Sequence, residues 1–415
     1  MPVRDFIRRN AAFLAAGFLL SFTSSYGQTY FISVFAGEIR GEFGLSHGAW
    51  GGLYTLGTTA SALLMVWAGL LTDRFRARQL GIFVAAILTC ACLAMSVVPN
   101  VVALVGVIFL LRFSGQGMMS QLANVSMARW FVASRGLALS ISSMGFAVGQ
   151  AALPVAFVAL LAVFDWRVLW LVAAALVVVT FPVIYRLLKL ERTPQSLASE
   201  GESVTGMNNR HWTRVEAARH WLFWLAIPVI IGPPAWGTAL FFQQVHLAEV
   251  KGWRLVEFVS LLPFFTVASV SMTLASGWAI DRFGTGRLMP FFPLPFAAGF
   301  LALSFAQTLP AAGLGMVLVG IGSGMQATLP AAFWAEFYGT RHLGGLKALS
   351  MALMVLASAV GPGLTGALID AGYDFPEQML GIVAYYLVAG GLAAIGAAWA
   401  RPLLTTPAEV DVVRP

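Results

Sequence analysis

Long runs of this chain carry no charged side chain, and they exceed what a soluble fold can bury. Residues 136–164 and 288–335, for example, hold no Asp, Glu, Lys or Arg. A helix needs about 20 apolar residues to cross the hydrocarbon of a bilayer. Divided at their turn signals, Pro99-Asn100 and Thr308-Leu309-Pro310 among them, the runs give twelve spans: 10–36, 48–72, 79–98, 101–128, 136–163, 167–186, 221–247, 258–280, 288–307, 310–335, 348–369 and 379–400. Strict alternation of apolar and polar residues is absent, so a membrane barrel is excluded. Of the 415 residues, 59% are hydrophobic and 10% charged, where a soluble protein carries about 25% charged. An all-α polytopic membrane protein is expected. The first apolar stretch outruns a signal peptide and lacks a small-residue cleavage pattern, so it is kept as the first span.

The basic residues set an orientation. With the N-terminus placed in the cytoplasm, twenty of the 25 Lys and Arg fall on the inner side. Four, Arg40, Arg167, Lys251 and Arg254, fall outside, and Arg112 lies within the fourth span. Both termini are therefore expected in the cytoplasm, the chain lying in a plasma or inner membrane. The formal charge of +7 is spread over short loops and is no sign of nucleic-acid binding. Cys90 and Cys92 read as inert packing residues, and the Asn124-Val125-Ser126 sequon lies inside a span where it is not modified.

The chain also repeats itself. Gly69-Leu70-Leu71-Thr72-Asp73-Arg74-Phe75 returns 208 residues later as Gly277-Trp278-Ala279-Ile280-Asp281-Arg282-Phe283. Gly115-Gln116-Gly117-Met118 matches Gly322-Ser323-Gly324-Met325, and Ala128-Arg129-Trp130-Phe131 matches Ala335-Glu336-Phe337-Tyr338, both at an offset of 207. Gly145-x-x-x-Gly149 answers Ala357-x-x-x-Gly361-Pro362. Two six-helix halves follow, 1–186 and 221–400, joined by a polar linker over 187–220 and followed by a tail over 401–415. Six spans per half, both starting inside, require parallel repeats with a binding site near the midplane between them.

The two Gly-x-x-x-Asp-Arg-Phe segments, the second continuing Gly284-x-Gly286-Arg287, resemble the signature loop of the major facilitator superfamily. Arg112 with Gly115 and Gly117, and the glycines of spans five and eleven, resemble further motifs of that family. Within it, Ser25-Tyr26-Gly27 before Phe31-x-x-Val34-Phe35, and Trp130-Phe131-x-x-Ser134-Arg135-Gly136-Leu137-Ala138, are most similar to the monocarboxylate and oxalate porters. In that group's charged positions stand Tyr30, Ser269 and Thr273. The resemblance implies the major facilitator fold and secondary transport of a small organic anion, by proton coupling or exchange.

Candidate residues follow from where polarity is embedded. Arg112 lies about 11 residues, or roughly 16 Å, into its span, where a charge costs several kcal/mol unless a cavity or a partner receives it. It reads as an anion ligand or coupling residue, or else as a structural arginine bonding nearby carbonyls. Gln116 shares its face. The outer half of span one is crowded with Ser, Thr, Tyr and Gln, including Tyr26, Gln28 and Tyr30, which read as lining a watery path. Gln243, Gln244 and His246 hold the related place in span seven. Trp236, Phe241, Phe242, Gln326 and Trp334 are weaker candidates.

Asp73, Arg74, Asp281 and Arg282 in the repeated loops, with Arg135, Glu336 and Arg341 beside them, read as a cytoplasmic gate that closes in the outward-open state. No phosphate-binding loop, catalytic triad, metal-ligand cluster or cofactor motif is recognisable, so no enzyme, cofactor or metal is expected. The partners expected are the bilayer and a small, anionic solute, the protein acting as a monomer without an obligatory protein partner. Two rivals stand beside the anion reading: an exporter of neutral or amphipathic compounds, and a non-transporting membrane sensor.

Overall fold

A computed structural model describes residues 3–69, 71–131, 135–188 and 205–404, apart from a few side chains including those of 73, 74, 129 and 135. Among the described residues there is no strand, and helices follow one another in twelve spans. Nine are long and apolar enough to cross a bilayer as they stand. The other three are the interrupted first span, the glycine-rich second (His47–Ala68) and the ninth, whose helix Leu294–Phe305 is short. Helices in lipid must satisfy their own backbone groups, so each interruption needs a partner for the carbonyls it frees.

The first span runs as Val3–Thr23, tightens into a 3-10 turn over Ser24–Gly27, and breaks at Gln28, whose backbone is extended (φ −87°, ψ 153°). It resumes as Thr29–Ile32 and ends with Ala36–Phe43. Gly27 sits at the break because the fourth span passes there. A Cβ on Gly27 would lie 2.1 Å from the carbonyl oxygen of Leu111 and 2.7 Å from Cα of Gly115. The fourth span answers with a wide π-helical segment over Arg112–Met119, set between Val101–Leu111 and Ser120–Trp130.

The seventh span has a counterpart. Trp221–Gly232 leads into a π turn over Pro233–Gly237, then Thr238–Phe242 and Gln244–Lys251. Pro233 and Pro234 bring no N–H, which strips the carbonyls four residues back of their helical donors. In the tenth span Leu309–Gln326 and Leu329–Tyr338 are parted ahead of Pro330 for the same reason.

Spans one to six pack among themselves, and so do spans seven to twelve. One end of the bundle carries Phe6, the 75–76 and 284 turns and Arg401, and is called the basic end; the opposite end is the far end. Three helix pairs pack across the halves: the second with the eleventh span, the fifth with the eighth, and the first with the seventh. The second and eleventh meet through glycines, Gly48 against Ala367 and Gly51 against Pro362 and Gly363. These residues belong to the far-end turns of their helices, as do Leu255–Val259 of the eighth span, which also touch the fifth. No other helix pair among the described residues packs across the halves to a comparable extent.

Candidate functional site

One joint between the halves is built from the two broken spans. Ser33 Oγ donates to the carbonyl of Phe241 at 2.6 Å. Gln244 Nε2 donates to the carbonyl of Tyr30 at 3.2 Å and to Ser33 Oγ at 2.9 Å. These bonds join the halves just beyond each break, using groups that an unbroken helix would have consumed. One turn nearer the basic end lies a layer of rings. Tyr30 meets Phe146 of the fifth span at 5.6 Å and Phe241 of the seventh at 6.4 Å, and Phe241 meets Phe265 of the eighth at 5.3 Å, all edge-to-face. Phe146 and Phe241 stay half-buried, whereas Tyr30 and Phe265 are buried.

Arg112 is 1% exposed and faces the break in its own half. Its Nη1 donates to the carbonyl of Gly27 and to Thr29 Oγ1, both at 3.2 Å. The guanidinium also stands over the Tyr54 ring, 5.3 Å from its centroid, and Tyr54 Oη bonds Thr29 Oγ1 at 2.6 Å. No carboxylate pairs with it among the described residues, and its Nε has no hydrogen-bond partner. Of the two roles open to an embedded arginine, this geometry serves the structural one: the charge sits on the carbonyl end of a helix piece, where the dipole favours a cation.

Gln326 does the same for the other half. Its Nε2 donates to the carbonyl of Ile230, one of the two that Pro233 and Pro234 leave free, at 3.2 Å. Tyr385 Oη takes the carbonyl of Pro228 at 2.6 Å. In each half a polar side chain of the fourth helix holds the break in the first.

The remaining candidates are placed as follows. Tyr26 is 1% exposed with its ring on Phe31, and Gln28 is buried at the break. Tyr30 donates its hydroxyl to Ser25 Oγ at 2.9 Å. Gln116 is half-buried on the π segment. Gln243 Nε2 donates to Thr365 Oγ1 at 3.1 Å, and His246 lies at the far end beside Asp374. The site residues thus divide among a structural pair of breaks, a ring layer and a far-end cluster.

At the basic end Asp281, Arg282 and Arg341 are exposed, and no ion pair joins Asp281 to a described residue. Arg282 lies 5.8 Å from the Trp278 and Phe283 rings. Glu336 accepts from Thr285 N at 2.8 Å and from Thr285 Oγ1 at 2.6 Å, tying the turn after Gly284 to the tenth span. Arg401 donates to the carbonyl of Gly286. The side chains of Asp73, Arg74 and Arg135 lie outside the described residues.

Sequence reasoning passed over Tyr54, Phe146, Phe265, His47, Asp370 and Asp374. The aromatics look like ordinary span residues, and only their convergence across the halves sets them apart. His47 and Asp370 mark helix ends, and nothing in the sequence says that those ends meet.

Comparison with known proteins matches this arrangement. The fold is similar to that of a bacterial homolog of the human lysosomal transporter Spinster in an inward-facing and unoccupied conformation, with a TM-score of 0.71 at 17% identity over 96% of this chain and 99% of that one. It is also similar to a variant of the nucleoside transporter NupG, with a TM-score of 0.68 at 11% identity over 95% of this chain and 100% of that one. A multidrug resistance protein B homolog from Mycobacterium tuberculosis is 34% identical over 107 residues, which are 26% of this chain and 20% of that protein. The chain thus aligns with about a fifth of the length of that relative. The model of the Major Facilitator Superfamily matches residues 17–292 and again 260–414, the second match returning over the second half as the internal repeat requires. With residues 17–414 matched and twelve helical spans in two parallel six-helix repeats, the chain belongs to the major facilitator superfamily.

Proposed function

We propose that this transporter works by alternating access and that its cargo is an uncharged or amphipathic compound bearing a ring. The observation that carries the reading is the ring layer between the halves, where Phe146 and Phe241 are only partly buried. Aromatic faces add about 0.5–1.5 kcal/mol per ring pair beyond the area they bury. The one embedded charge described there is spent on the first span's break. The name of the M. tuberculosis relative, a multidrug resistance protein homolog, supports the same class. With the basic end in the cytoplasm, as the bias of Lys and Arg favours, the state described is inward-open.

A second reading, the small organic anion of the monocarboxylate porters, is favoured by the unpartnered Nε of Arg112 and the lack of a carboxylate against it. A thermal-shift screen separates the two, because a ligand that binds the folded state raises its melting temperature. Ring-bearing neutral compounds are expected to stabilise the protein, and Phe241→Ala is expected to abolish the shift. Stabilisation by small carboxylates alone, lost in Arg112→Ala but kept in Phe241→Ala, overturns the first reading in favour of the second.

A further inference from the structure

The far end carries a cluster of ionisable groups that lies beyond the ring layer and takes no part in holding cargo. Ser46 caps the second span, accepting from Ala49 N at 3.1 Å and donating to Asp370 Oδ2 at 2.6 Å. The same carboxylate, at the end of the eleventh span, accepts Gly48 N at 2.8 Å. Across this joint the ring of His47 meets the ring of His246 edge-on, with centroids 4.5 Å apart. His246 is 6% exposed, and its Nε2 lies 3.2 Å from Asp374 Oδ1 and 3.4 Å from Phe375 N. His47 comes from one half; His246 and the 371–374 turn come from the other. The remaining charged groups that face the pair are Arg40, from the end of the first span, and Glu249, from the end of the seventh, with Glu38 beyond them.

We propose that the His47–His246 pair is a proton-binding site that unlocks the far-end seal, holding a proton poorly while the seal is closed and well once the halves part there. Two rings in contact at 4.5 Å cannot both carry charge without repulsion. The amide of Phe375 points at Nε2 of His246 and so occupies the lone pair that a proton would take. Asp374 would attract a proton to that nitrogen, but its side chain is 51% exposed, and water screens most of the gain. Burial first, then Arg40 and His246, push His47 down to about 4, against the opposing pull of Asp370 and Asp374.

The sign follows by linkage. The sealed state binds fewer protons than an open state in which the His47 ring returns to water and its ordinary value of about 6.5. The seal therefore holds fully above that value, weakens as pH falls toward about 4, and changes no further below it. Between pH 7.5 and 5.5 the ratio of far-end-open to sealed molecules should rise about tenfold.

The test reads conformation rather than transport, so it stands or falls separately from the choice of cargo. Spin labels are placed at Gly41→Cys and Val250→Cys, both exposed at the far end, one in each half, with Cys90 and Cys92 replaced by Ala. Electron–electron distances are recorded in proteoliposomes at pH 7.5 and 5.5. The longer-distance population should grow about tenfold relative to the shorter one on acidification, and His47→Gln with His246→Gln should remove the response. If the double variant does not insert, each single variant carries the same expectation of a reduced response. An unchanged or shortened distance in the parent protein at pH 5.5 overturns the proposal, and so does a double variant that responds as the parent does.

Discussion

At the residue scale Arg112 and Gly27 belong to one device. The break at Gln28 frees a carbonyl in a place where no water replaces its lost donor, and the guanidinium supplies one. Arg112→Ala should leave the Gly27 carbonyl and Thr29 without that donor, at a cost of about 1–3 kcal/mol, seen as a lower melting temperature in detergent. Arg112→Lys should recover part of the loss, because it keeps the charge and one donor but not the planar fork over Tyr54. A melting temperature in Arg112→Ala equal to the wild type would contradict the structural role. Gly27→Ala should fare worse than either, since its Cβ would press into the backbone of Leu111 and Gly115. The protein is then expected to insert poorly or not at all, as fluorescence-detected size exclusion would show.

At the scale of the helix, the breaks explain what could and could not be read from the sequence. The twelve spans were legible because lipid allows little but long apolar helices, and the repeat was legible because the same glycines and Asp-Arg-Phe return at one offset. The interruption of the seventh span had a visible cause in Pro233-Pro234. That of the first did not, since no proline lies near Gln28 and only Gly27 hints at a close approach. Its freed carbonyl is a backbone atom, invisible in a string of side chains, so the partner of Arg112 was open between a ligand and the chain itself. Polarity in the outer half of span one was legible too, but its use was not: Ser33 is spent on sealing the halves, and Tyr30 on the ring layer and on Ser25.

Two predictions belong to these elements. Ser33→Ala with Gln244→Ala removes three hydrogen bonds across the far-end joint of spans one and seven. At about 1 kcal/mol for each of the three bonds lost, the far-end-open population should rise by roughly a hundredfold, read as faster labelling of a buried Ala359→Cys from that side. Unchanged labelling would mean that the glycine contacts of spans two and eleven hold the seal alone. At the other end, Asp281 is exposed and no ion pair joins it to another described residue. If it serves the proposed gate, Asp281→Asn should leave this state intact and disfavour the opposite one, slowing transport while stability stays within about 0.5 kcal/mol of the wild type. A normal transport rate in Asp281→Asn would leave that loop only a topological role.

At the scale of the whole molecule, the halves meet through spans one and seven, two and eleven, and five and eight, with a layer of rings between them. The joint rests on glycine-lined helix contacts, a small set of hydrogen bonds and a histidine pair. Under the proposed alternating access, rocking about the ring layer would expose the same aromatic faces to either side in turn and release cargo held there. The most direct measurement is counterflow in proteoliposomes loaded with an unlabelled ring-bearing amphipath, with the labelled compound at trace concentration outside. Wild type should accumulate label transiently, and Phe241→Ala should weaken the apparent affinity about ten- to a hundredfold, as loss of a phenyl contact of about 1.5–3 kcal/mol demands. No accumulation across a broad set of ring-bearing compounds, together with counterflow of a small carboxylate that Arg112→Ala abolishes, would contradict a ring-binding layer and return the charge to the centre of the mechanism.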